Sequence, residues 1–331
     1  MARKENQKLK LLYLMRIFIE KTDDTHSITM PEIIEQLKRY NIEAERKSIY
    51  NDISYLREFG YDIIGEKVGK GYSYHMGERK FEFPELKLLV DSVQSAKFIT
   101  EKKSKELIKK LETMCSTYEA SQLNRQVYVQ GRIKTMNESI LYNVDRIHEA
   151  IANNRKITFH YWNWNVDKKM ELRHDGMKYK VSPWGLAWDD GNYYMVAFDD
   201  KNKIIKNYRV DKMIHINTTD EKREGYDSFT STDMAEYTKK TFGMYRAKEY
   251  TVTIECENSF AGVMYDRFGK DVLSRKTDKD HFAIYPKVAV SDLFIGWIIG
   301  LGEGVKITGP EDAVKKMKEA AQRIAALYYE G

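Results

Sequence analysis

Glu45-Arg46-Lys47-Ser48-Ile49-Tyr50-Asn51-Asp52-Ile53-Ser54-Tyr55-Leu56-Arg57-Glu58-Phe59-Gly60 places Ile49, Ile53 and Leu56 at i, i+4 and i+7. That spacing predicts a helix over about 45–59 with one buried stripe, and Gly60 stands where such a helix ends. Upstream, residues 8–20 carry apolar side chains at helical spacing. Thr29-Met30-Pro31-Glu32 is a capping box with proline in the first turn, which opens a second helix through Tyr40. Downstream the period changes: residues 61–68 and 72–76 read as strands around Gly69-Lys70-Gly71, whose glycines suit a tight hairpin. Helix, helix, helix, hairpin is the order of a winged helix-turn-helix, expected over residues 1–80.

In that arrangement the third helix enters the major groove, packs its apolar stripe inward and turns its other face to base edges and phosphates. The solvent-facing arcs here hold Arg46, Lys47, Ser48, Tyr50, Asn51, Ser54, Tyr55 and Arg57. They offer cations for phosphates, and amide and hydroxyl groups for bases. Lys67 and Lys70 lie near the tip of the hairpin, where a β-ribbon reaches backbone phosphates or the minor groove. Double-stranded DNA is the expected partner, and a helical domain used for protein contact is the plainer alternative.

The rest of the composition sets bounds on the other classes. The chain has 331 residues, which suggests two or three domains, and 42% hydrophobic with 12% aromatic residues excludes a mainly disordered chain. The 55 Lys and Arg are nearly balanced by 50 Asp and Glu, so a net +5 is too mild to argue for a polyanion partner by itself. Cys115 and Cys256 are the only cysteines; they form no zinc site by themselves and no disulfide framework, which fits a reducing cytoplasm. No small-residue cleavage site follows the apolar N-terminal stretch, and the most apolar run, residues 293–301, is about half of what spans a bilayer. No membrane segment is expected.

From 84 to about 121 the pattern is helical and strongly charged, read as a linker over 81–138 whose lysines form a solvated face. A strand near 127–133 and a helix over about 139–153 follow. Strands are then expected at 157–162, 179–188, 193–198 and 204–210, separated by short polar turns; strands joined this tightly suggest a small barrel over 139–217. Residues 218–246 read as a polar connector. The last part, 247–331, reads as strand (250–256), helix (259–268), strands (272–277 and 281–288), helix (291–301), strand (305–308) and a final helix from Glu311. The expected class is α+β.

Residues 45–53 resemble the serine-arginine-arginine-threonine-isoleucine-tyrosine-arginine-aspartate-isoleucine signature of bacterial transcription regulators with a WYL domain, departing from it with Glu45 at the usual small cap and Asn51 at the usual arginine. Residues 179–186, 191–196 and 208–213 are similar to the WYL core. Tyr193-Tyr194-Met195 stands at the name-giving tryptophan, tyrosine and leucine. The C-terminal part resembles the WCX-type extension that follows such domains, notably Phe294-Ile295-Gly296-Trp297-Ile298-Ile299-Gly300-Leu301-Gly302. The resemblance implies an Sm-like or SH3-like barrel that binds an anionic or nucleic-acid effector and alters DNA binding by the first domain.

Candidate effector residues are His160, Tyr179, Ser182, Tyr194, Lys206 and Arg209. Arginine supplies a bidentate clamp for phosphate, hydroxyls add neutral donors and aromatic rings stack on bases. Each has a plainer reading: Tyr179 and Tyr194 as core aromatics, Ser182 as a turn residue before Pro183, Arg209 as the partner of Asp211. Trp162 and Trp164 read either as a base-stacking pair or as an edge of the core. The seven histidines show no metal spacing, neither glycine cluster completes a nucleotide loop, and no nucleophile elbow is present, so neither enzyme nor cofactor is expected. A homodimer is expected from operator symmetry. The other function class kept open is an accessory protein whose β module grips single-stranded DNA or RNA.

Overall fold

In a computed structural model of the chain, residues 7–123, 134–230 and 234–329 are described. They divide into two compact units, Met1–Glu138 and Ser139–Gly331. The architecture is mixed α+β, with helices at the N-terminus and a curled antiparallel sheet after them.

The first unit opens with α1 (Lys10–Lys21), β1 (Ile28–Thr29), α2 (Met30–Arg39), α3 (Arg46–Glu58), β2 (Ile63–Val68) and β3 (Gly71–Met76), and the strands pair antiparallel in the order β1-β3-β2. The capping box at the start of α2 is formed: the Glu32 carboxylate accepts from the Thr29 N–H at 2.7 Å. The Glu45 side chain makes no equivalent bond at the start of α3. Leu14, Ile17, Phe18, Ile33, Leu37, Ile49, Ile53 and Leu56 form one core, so the stripe legible in α3 is the one it buries.

The expected helical stretch from 84 to 121 breaks into α4 (Phe83–Ser95), α5 (Glu101–Glu112) and α6 (Thr117–Leu123), which bury Leu86, Val90, Cys115 and Leu123 together. The break before α5 is a capped start: Thr100 Oγ1 accepts from the Lys103 N–H at 3.2 Å. The strand expected near 127–133 lies outside the described residues. Asp23, in the turn after α1, is 4% exposed. Its carboxylate accepts from the backbone N–H of Thr25 and of His26 (both 2.9 Å), from the His26 ring (2.7 Å) and from the Ser116 hydroxyl ahead of α6. Those donors outweigh burial and hold the carboxyl at a pKa of about 2.

The second unit begins with α7 (Ile140–Ala152), β4 (Arg155–Trp164), β5 (Met170–Leu172), β6 (Tyr179–Asp189), β7 (Asn192–Asp199), β8 (Ile204–Arg209) and β9 (Met213–Lys222). The sheet order is β5-β4-β6-β7-β8, and β9 pairs with β4. Four elements differ from expectation. β5 is new, and β9 runs into the stretch read as a polar connector, which also holds α8 (Tyr226–Thr230) and α9 (Met234–Lys240). The residues of β9 past Ile216 are largely exposed, so the strand is specified by its partner's edge and carries almost no apolar alternation of its own.

The chain continues with β10 (Glu249–Thr251), β11 (Thr253–Glu257), α10 (Ala261–Phe268), β12 (Ser274–Lys276), β13 (His281–Ile284), β14 (Lys287–Ala289), α11 (Asp292–Gly300), β15 (Val305–Gly309) and α12 (Glu311–Tyr329). The antiparallel order β12-β13-β11-β15 is that of a split β-α-β. Ile254, Cys256, Phe282, Ile284, Val305 and Ile307 of the strands meet Met264, Phe294, Ile295, Ile298 and Ala313 of the helices. The single strand expected at 250–256 is interrupted at Val252, whose N–H donates to Pro286 O at 2.9 Å, which gives β10 and β11 different partners.

Candidate functional site

The N-terminal candidates lie on α3 and on the β2–β3 hairpin that follows it. Arg46, Lys47, Tyr50, Asn51, Ser54, Tyr55 and Arg57 of α3 are exposed, Ser48 is half-buried, and Lys67 and Lys70 are exposed on the β2–β3 hairpin. Some of these groups already serve the fold. Arg57 Nε donates to Ile63 O at 2.7 Å and ties the helix to the hairpin, and Ser54 Oγ donates to Tyr50 O at 3.1 Å. Lys10 Nζ donates to Ser48 Oγ and pairs with Asp52 at 2.7 Å, joining α1 to α3. Arg46, Lys47, Asn51, Lys67 and Lys70 therefore form the outward polar set of the surface.

The six effector candidates do not converge on one point. Arg209, at the end of β8, donates from Nε and Nη2 to the two Asp211 oxygens at 3.0 and 2.8 Å, and from Nη2 to Asn192 Oδ1 at 3.0 Å. Burial works against its charge, but the Asp211 carboxylate prevails and its pKa is raised. Tyr194 is its cross-strand partner on β7, with its pKa raised by burial. The Arg209 N–H donates to the Tyr161 hydroxyl at 3.2 Å; burial pushes that phenol up to about 12. Tyr179 stacks on Phe159 (centroids 5.3 Å, 8° between planes) and lies 6.2 Å from the Tyr161 ring, so it joins Arg209 only through the Tyr161 ring between them.

The other three sit elsewhere. Ser182 is fully buried: its hydroxyl donates to Asp200 at 3.1 Å and accepts from the Glu224 N–H at 2.9 Å. Beside it Lys156 pairs with Asp200 and Glu224, each at 2.7 Å. Lys206 pairs with Asp199, where that bond and Asn202 overcome burial and keep the carboxyl at about 2. His160 Nδ1 meets Gly176 O at 2.9 Å, and its ring lies edge-on to His215 at 5.8 Å. Trp162 is 3% exposed and Trp164 49%, with rings perpendicular at 5.0 Å: one is core and the other is its open edge.

Sequence reading missed two cations that join Arg209. Arg173 lies over the Tyr161 ring at 5.8 Å, and Lys212, lowered first by burial and then by Arg209, donates to Asn163 at 3.2 Å. Three cations thus share the neighbourhood of one carboxylate, Asp211, beside tyrosine rings. The Lys212 signal was present three residues after Arg209; Arg173 follows β5 and came with no motif. Among the described residues no group of three or more His, Cys, Asp or Glu is placed to hold a metal ion, and no helix is long and apolar enough to cross a membrane. Burial pushes the Cys115 thiol up to about 11 and the Cys256 thiol to about 12.

The WYL domain family model matches residues 142–218, from α7 into β9. None of the curated proteins matches the chain. Solved structures that align with it include the Proteasome accessory factor B/C (PafBC) of Arthrobacter aurescens, at 15% identity over 99% of this chain and 50% of that one, with a TM-score of 0.28. The chain thus spans half the length of that protein. A CRISPR Cas-related protein aligns at 13% identity over 97% of this chain and 84% of its own, with a TM-score of 0.35. Neither score is high enough to transfer an arrangement or a role. The domain match covers the curled sheet and the helix before it, so residues 142–218 of this chain are similar to the WYL domain.

Proposed function

We propose that this protein is a DNA-binding transcription regulator whose operator affinity is set by an anionic effector. The observation that carries the reading is the surface formed by the outward face of α3 and the adjacent hairpin, with Arg46, Lys47, Asn51, Lys67 and Lys70 exposed on elements in the winged helix-turn-helix order. In this reading residues 1–80 bind duplex DNA, 81–138 link, 139–217 form an Sm- or SH3-like sensing domain, 218–246 connect, and 247–331 form a WCX-like extension in a cytoplasmic homodimer. The effector binds at Arg209 with Tyr161, Tyr194 and Tyr179, joined by Arg173 and Lys212; Ser182, Lys206 and His160 support the domain around it. It is an anion of the nucleotide or single-stranded nucleic-acid class, held by guanidinium and stacked on rings. It shifts DNA binding only through unequal affinity for the competent and incompetent states.

The test is a footprint and affinity titration of purified protein on the duplex upstream of its own gene, beside random duplex and single strands of equal length. A defined protected stretch, with affinity for it well above random duplex, is the expected result. Equal affinity for all duplexes refutes the regulator reading. Preference for single strands over every duplex moves the function to an accessory protein in which the β module does the gripping.

A further inference from the structure

β6 and β7 are joined by a two-residue turn, Asp190-Gly191, with positive φ at both positions (42° and 74°), the stiff geometry of a tight hairpin. Its two flanking residues, Asp189 and Asn192, are cross-strand partners. Asn192 accepts from Arg209 Nη2 at 3.0 Å and donates to Asp190 O at 3.1 Å, so the turn is tethered to the anion-site guanidinium. Asp189 instead has a buried oxygen, Oδ2, with no hydrogen-bond partner among the described residues.

A complementary orphan lies in the C-terminal extension. Arg267 of α10 has a buried Nε with no partner among the described residues. The rest of its guanidinium is fixed: Nη2 donates to Thr241 O at 3.3 Å, and the group lies 3.9 Å over the Phe242 ring. Phe242 in turn packs against Phe294 at 5.1 Å and Trp297 at 5.5 Å, inside the core of the extension. Burial penalises both charges, and each of the two is the opposing attraction on the other. One N–H donor and one carboxylate oxygen, both desolvated and both unpaired, are each a standing cost that pairing with the other would remove.

We propose that the Asp189–Asn192 turn is a lever that carries occupancy of the Arg209 site to the C-terminal extension through Arg267. An anion that draws the Arg209 guanidinium away from Asn192 frees the turn, and Asp189 then closes on Arg267 Nε. The inference rests on the anion reading of Arg209 for its input, while the lever itself consists of residues outside the DNA-facing surface.

Hydrogen–deuterium exchange on the full chain tests it, read over residues 241–268 in wild type, Asn192→Ala, Arg267→Gln and the double variant, with the isosteric Asp189→Asn as a second cut. Asn192→Ala is expected to change exchange over 241–268 about fivefold or more, and that change is expected to vanish when Arg267→Gln or Asp189→Asn is also present. An effect confined to β6, β7 and their turn, or one of equal size with Arg267→Gln, overturns the lever. Pyrophosphate, used as the anionic probe, is expected to reproduce the change in wild type and not in Asp189→Asn. Coupling without any pyrophosphate binding refutes the anion reading and leaves the lever intact; binding without coupling refutes the lever alone.

Discussion

Replacing Asp23 with asparagine tests whether the turn after α1 is held by a buried carboxylate. The 4% exposed group accepts four bonds of 2.7 to 2.9 Å from Thr25 and His26, and a further one from Ser116. Together they take its pKa from 3.8 to about 2. Through linkage that shift is worth about 2 kcal/mol to the folded state at neutral pH. The folded pKa is the lower one, so the contribution is complete above the unfolded value and is lost as pH falls from about 5 towards 2, with roughly half gone at pH 3. Asp23→Asn is therefore expected to cost about 2 kcal/mol at pH 7, and the gap to wild type to narrow by roughly half at pH 3. The probe matters: all five tryptophans, at 162, 164, 184, 188 and 297, lie in the second unit, so urea unfolding of the first is followed by pulse proteolysis with cleavage mapped to residues 7–123. Equal midpoints at pH 7, or a gap that stays the same at both pH values, would refute the account.

Lys47→Ala is expected to weaken binding to all duplexes alike and to flatten the slope of log affinity against log salt by about 0.9; an unchanged slope removes Lys47 from the phosphate contacts. Phe159→Ala, at a fully buried ring among Tyr161, Tyr179 and Tyr208, is expected to cost about 3–5 kcal/mol in the second unit by tryptophan fluorescence, and a loss below about 1 kcal/mol would mean that these rings do not form its core. Ser291→Ala removes the cap that accepts from the Phe294 N–H at 3.3 Å, with an expected loss of about 1 kcal/mol in chemical denaturation. No loss there would assign the start of α11 to packing alone.

Most helices were legible because their signals are local. The capping box at Thr29 and Glu32, the stripe of Ile49, Ile53 and Leu56, and the Ser291 start are each written within one or two turns. The core strands of the sheet were legible for the same reason, being apolar and bounded by turn residues. β9 was not, because His215-Ile216-Asn217-Thr218-Thr219 and the charges that follow become a strand only along the edge of β4, far away in sequence. The site divides in the same way. Arg209 and Tyr194 fall in recognisable segments, whereas the tether of Arg209 to Asn192 and the approach of Arg173 to Tyr161 exist only once β4, β7 and β8 have been brought together.

The late arrival of β9 has a consequence during synthesis. Arg155 pairs with Lys222 and Tyr161 with Met213, so one edge of β4 has no partner until the chain has passed through all of β5 to β8. Closing so long a loop is entropically slow, and the waiting edge carries Ile157-Thr158-Phe159-His160-Tyr161-Trp162, as strongly β-forming a segment as the protein contains. An unpaired edge of that composition is a template for another chain. Nascent chains halted before residue 213 should therefore be the ones that aggregate and recruit chaperones, while chains that have emerged past residue 222 should escape both.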